Sequence, residues 1–158
     1  MPSLLGAMVR SRFDFEKAVD RAASELAKRP REELLRALRE RADEKSSIPG
    51  APESGSVADT AIHTQDIRRA LSLGGGLSPE IVLVCLEFLT TNRNARFLMN
   101  PRITDGLQLT ATDLDWSHGI GQPVEGTGEA IVMALTGRPV LPELTGGGVG
   151  ALTARLAG

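Results

Sequence analysis

Asp59 and His63 stand four residues apart in the stretch VADTAIHTQD, and Asp66 follows three residues after His63. On an α-helix these three positions share a face. A carboxylate and an imidazole, both deprotonated, are ligands for a divalent cation such as zinc. Ala58, Ile62, Ile67, Ala70 and Leu71 supply apolar side chains on the same helix. An unpaired carboxylate beside a buried stripe is costly, and a metal between Asp59 and His63 removes that cost. The plainer reading is a histidine hydrogen-bonded to a neighbouring carboxylate. On the metal reading, Asp66 would orient His63 or pair with Arg69. Arg68 and Arg69 come next in the chain. They either pair with Asp66 or another carboxylate, or grip an anionic substrate or cofactor. His118, in DLDWSHG, reads as a turn histidine; the alternative is a substrate contact or a distant ligand. Cys85 has no histidine or positive charge near it in sequence and reads as a small core residue.

The elements that carry these residues follow from periodicity and stop signals. Val57–Leu73 reads as the ligand-bearing helix, capped by Ser56 and stopped by the run Gly74, Gly75, Gly76. Before it, Ser3–Lys28 and Arg31–Lys45 read as helices separated by Pro30, with Leu34, Leu35 and Leu38 inward and a solvated charged face outward. Residues 46–56 are a loop by composition. Ser78 and Pro79 open a largely buried helix that runs to about Asn92. The character then changes near Pro101. Gly106–Asp113 alternates Leu107, Leu109 and Ala111 against polar residues, as a half-buried strand does. A second short strand within Leu114–His118, an extended piece at Val124–Gly126, and helices at Gly128–Leu135 and Val149–Leu156 complete the chain. Gly146, Gly147 and Gly148 lack the lysine and the preceding strand of a phosphate loop. The fold class is mainly α, with a helical domain over residues 1–100 and a small α+β subdomain over 101–158.

With 158 residues and 41% hydrophobic content, the chain can build a core. Aromatic residues are only 3%, so that core is aliphatic, which suits helices. The net charge of −2 argues against a nucleic-acid binder. A single cysteine excludes an internal disulfide and points to a reducing, cytoplasmic setting. No apolar run approaches membrane-spanning length.

Four blocks carry a resemblance: His63–Leu71 (HTQDIRRAL), Leu109–Gly119 (LTATDLDWSHG), Ala130–Arg138 (AIVMALTGR) and Leu144–Val149 (LTGGGV). Together they resemble actinobacterial proteins of the mycothiol-dependent maleylpyruvate isomerase family. The resemblance implies a DinB/YfiT-like four-helix bundle holding a divalent metal, commonly zinc, followed by a small α/β appendage. It also implies a mycothiol-dependent isomerase or transferase acting on an electrophilic small molecule. In that family an early histidine and a Glu-x3-His pair hold the metal. Asp59 and His63 match the pair, with aspartate in place of glutamate. His63 and His118 are the chain's only histidines, so the early one has no counterpart. The bundle is therefore expected to be shortened at its N-terminus, leaving an apolar face open to a homodimer. The alternative is a catalytically impaired, non-enzymatic scaffold or small-ligand-binding module.

Overall fold

The computed structural model describes residues 15–42 and 52–157. It divides the chain into two compact units, 1–45 and 46–158. Thus the sequence-based boundary at 100/101 falls inside the second unit. There the helices before Pro101 and the sheet after it share one core.

In the first unit, α1 (Phe15–Leu26) and α2 (Arg31–Glu40) are separated by Pro30. The Pro30 carbonyl accepts the N–H groups of Glu33 and Leu34, which starts α2. No residue of α2 is buried, and Leu38 is 70% exposed. The inward placement expected for Leu35 and Leu38 is therefore corrected, while Leu34 is half-buried. A pair of short helices has too little surface to enclose its own apolar stripe. The expected helical residues before 15, and residues 43–45 of the second expected helix, lie outside the described residues.

The second unit holds α3 (Glu53–Ala70), α4 (Pro79–Thr91), β1 (Leu107–Ala111), β2 (Ser117–His118), β3 (Gln122–Gly126), α5 (Gly128–Leu135) and α6 (Val149–Leu156). Short 3-10 turns occupy Arg93–Phe97, Pro101–Thr104 and Leu141–Glu143. Among the described residues the protein is mainly helical, with one small three-stranded sheet. No helix among them is long and apolar enough to cross a membrane.

Within the second unit the elements stack in order: α3 packs on α4, α4 on α5, and α5 on β1 and β3. Helix α5 is buried along nearly its whole length, Glu129 being the one residue that is not. Such burial explains why its sequence is apolar on every side rather than striped. β1 is central, antiparallel to β2 and parallel to β3. Its Leu107, Leu109 and Ala111 are buried, while Gln108 is exposed, as period-two alternation requires. To pass from one side of β1 to the other, the chain wraps closely around the start of that strand. Gly121 makes this wrap, at φ +144, and a Cβ there would lie 2.0 Å from the Gly106 carbonyl oxygen. Only glycine fits.

Helix α3 starts at Glu53, after Pro52, and not near Ser56. Gly55 lies in the first turn beneath the Phe88 ring, where an added Cβ would sit 3.2 Å from the ring. Packing on α4 thus draws into the helix a segment that composition alone marks as loop. The helix also ends early, at Ala70, and not in the glycine run. Ser72 takes the left-handed conformation at φ 51, and the N–H groups of Leu73 and Ser72 donate to the carbonyls of Arg68 and Arg69. This is a Schellman closure with serine where glycine is usual.

Candidate functional site

Because α3 is regular from Glu53 to Ala70, Asp59, His63 and Asp66 do share one exposed face. His63 Nε2 lies 3.6 Å from Asp59 Oδ1, and His63 Nδ1 lies 3.1 Å from Asp66 Oδ2. The imidazole is therefore flanked by a carboxylate on each nitrogen. His63 and Asp59 are well exposed, at 63% and 56%, so their mutual attraction is screened by water.

Asp66 is held from the far side by Arg138. Arg138 Nε donates to Oδ1 at 2.9 Å and a terminal nitrogen to Oδ2 at 2.7 Å, a bidentate pair. The backbone places Arg138 there through the end of α5. Gly137, at φ +82, closes a second Schellman motif in which Arg138 N–H donates to the Met133 carbonyl and Gly137 N–H to that of Ala134. A further guanidinium nitrogen donates to the Thr136 carbonyl at 2.7 Å, so the side chain is fixed by its own helix end as well. The Arg138 hydrogen bond holds the Asp66 carboxyl below its ordinary range, against partial burial, and His63 lowers it further. Arg138 is raised in turn by Asp66.

Of the alternatives for Arg69, pairing with a carboxylate other than Asp66 is the one found. Asp66 pairs with Arg138 and not with Arg69. Arg69 instead donates to Glu143 at 2.6 Å and to Glu129 at 2.9 Å. Glu143 and then Glu129 raise its pKa against partial burial. The second Glu129 oxygen accepts the Leu77 N–H at 2.9 Å. Arg68 donates to the carbonyls of Gly75 and Gly76. Both arginines named as cofactor-binding candidates are thus engaged within the chain.

The remaining candidates sit apart from this face. The His118 ring stacks on Trp116 at 6.2 Å between centroids and 13° between planes. Trp116 Nε1 donates to Glu87 on α4 at 3.1 Å. Cys85 is fully buried, and burial pushes its thiol up to about 11, so it is not a reactive thiolate at neutral pH.

A tetrahedral zinc with bonds near 2.1 Å separates adjacent donors by about 3.4 Å. The 3.6 Å between Asp59 and His63 fits such an edge. The Asp66 contact on Nδ1 matches the carboxylate that commonly orients a ligating histidine and frees its other nitrogen. The described residues contain no group of three or more His, Cys, Asp or Glu able to hold a metal. Within the described residues, the pair fits one edge of a metal site. Arg138, Glu129 and Glu143 were not singled out by spacing. They lie 60–74 residues from their α3 partners, and only complementary charge hinted at them.

No protein-family model, curated protein or solved structure matches this chain.

Proposed function

We propose that the chain is a divalent-metal-binding helical module of the kind its sequence resembles, with α3 and α4 belonging to a DinB/YfiT-like bundle. Asp59 and His63 are the metal ligands, and Asp66 orients His63. The observation that carries this reading is the doubly anchored Asp66. Arg138 fixes its carboxylate, which meets His63 Nδ1, while Nε2 faces Asp59. When bound, zinc would supply Lewis acidity and lower the pKa of a coordinated thiol or water. The associated activity is a mycothiol-dependent isomerisation or transfer on an electrophilic small molecule in the cytoplasm. The exposed Ile67 of α3 and Leu71 just after it support a homodimer through that helix.

The test is metal content of the full chain by elemental analysis, beside His63→Ala. Near one zinc per chain, lost in the variant, together with a melting temperature that rises with added zinc, supports the site. No metal in either protein overturns it.

A second reading, a non-enzymatic scaffold, is favoured by one specific feature. Arg69 is clamped by two carboxylates, and one terminal nitrogen of Arg68 is taken by two carbonyls, which leaves little of the pair for an anionic cofactor. On that reading Asp59, His63 and Asp66 are a surface ion-pair cluster, and zinc leaves the melting temperature unchanged.

A further inference from the structure

Away from α3, a cleft of about 340 Å³ opens where α4 ends and the chain turns through residues 92–104. That volume suits a small metabolite. Arg93 and Arg96 line it together with Asn92, Thr104, Leu89 and Met99. No aspartate or glutamate lines it. The surrounding sequence from Phe88 to Thr104 carries three arginines and no acid, in a chain whose net charge is −2.

Arg93, Arg96 and Asn92 supply hydrogen-bond donors to this cleft. Neither Arg93 nor Arg96 has a carboxylate partner among the described residues, in contrast to Arg69 and Arg138. Arg96 lies over the Phe97 ring at 5.3 Å, and Phe97 is 78% exposed, so a guanidinium and an aromatic face are presented together. Asn92 uses its side-chain oxygen to accept the Asn94 N–H at 2.9 Å, which leaves its NH₂ group to donate. Thr90 and Thr91 turn their hydroxyl protons to the Leu86 and Glu87 carbonyls, so the side-chain donors left for an anion are those of Arg93, Arg96 and Asn92. Leu89 and Met99 add apolar lining.

We propose that this cleft is a binding site for a small organic anion, an oxyanion group joined to an apolar body. Arg93 and Arg96 grip the oxyanion, Asn92 adds a hydrogen bond, and the apolar body lies against Leu89 and Met99. The site is separate from the metal ligands and does not rest on the metal reading.

The experiment is a titration of the full chain, followed by amide NMR, with phenyl phosphate, benzoate, inorganic phosphate and benzyl alcohol. Phenyl phosphate and benzoate, carrying the two oxyanion types, are expected to shift signals of residues 89–104 saturably, with Kd at or below about 1 mM. Inorganic phosphate should bind more weakly, and benzyl alcohol should not saturate. R93Q combined with R96Q should weaken binding at least about tenfold, whereas R102Q, outside the cleft lining, should change it less than about twofold. Both variants alter exposed side chains, and unchanged signals elsewhere will show that the fold is kept. The proposal is overturned if neither aromatic anion saturates, if the shifted signals lie elsewhere, or if the double variant binds as the wild type does.

Discussion

Two charged regions of the second unit use arginine in opposite ways. On the α3 face, Arg69 and Arg138 each meet carboxylates brought from distant elements, and the pairs join α3 to the two ends of α5 and to the turn at Leu141–Glu143. Around the α4 terminus, Arg93 and Arg96 are exposed and meet no carboxylate among the described residues. A guanidinium closed by a bidentate carboxylate holds the fold together and has little left for a ligand. One left open contributes little to folding and keeps its donors for a partner. The difference divides arginines that position structure from those that can recognise an anion.

The sharpest way to break this division is Asp66→Ala. It removes both Arg138 contacts and the His63 contact, and it strands a guanidinium whose side chain is only 26% exposed. After discounting for solvent screening, the cost should be about 2 kcal/mol. Thermal unfolding should show a drop of roughly 6 °C. A loss near zero would mean that the pair is ornamental and that the two regions do not differ.

Acid titration sharpens the same point. Asp66 has its folded pKa lowered below the ordinary value of 3.8. Its stabilisation is thus complete well above pH 3.8 and is lost as the pH falls through the lower folded value. Asp66→Asn should therefore flatten the acid limb of stability against pH below about 4, measured by urea unfolding at stepped pH. An unaltered acid limb would refute the assignment. Arg69→Met should cost less, about 1 kcal/mol, because Glu143 is 45% exposed and Glu129 keeps the Leu77 N–H.

Which parts of this arrangement are readable in the chain follows from how local their causes are. Helix α5 runs over Gly128–Leu135 as its pattern predicts, because Thr127 caps it through the Ala130 N–H and Gly137 closes it. β1 shows its alternation directly. The contacts of His63 with Asp59 and Asp66 are legible because they depend only on helical spacing. The start of α3 is not legible, since Gly55 is helical for a tertiary reason, its fit beneath Phe88. Nor are Arg138, Glu129 and Glu143, whose partners come from beyond a sheet and a helix. The open state of Arg93 and Arg96 is half legible. An acid-free run is visible, but the cleft they line exists only once α4 stops and the chain turns beside it.

The smallest expected effect is the most discriminating. R93Q with R96Q should leave unfolding stability within about 0.5 kcal/mol of wild type, because neither guanidinium closes a pair that folding depends on. Raising the salt should leave this small difference unchanged, whereas it should narrow the gap between wild type and Arg69→Met. A double variant as damaged as Asp66→Ala would show that Arg93 and Arg96 are structural, their charge holding the negative carbonyl end of α4. A neutral double variant leaves those two arginines with no folding role, which is the condition an anion-binding pair must meet.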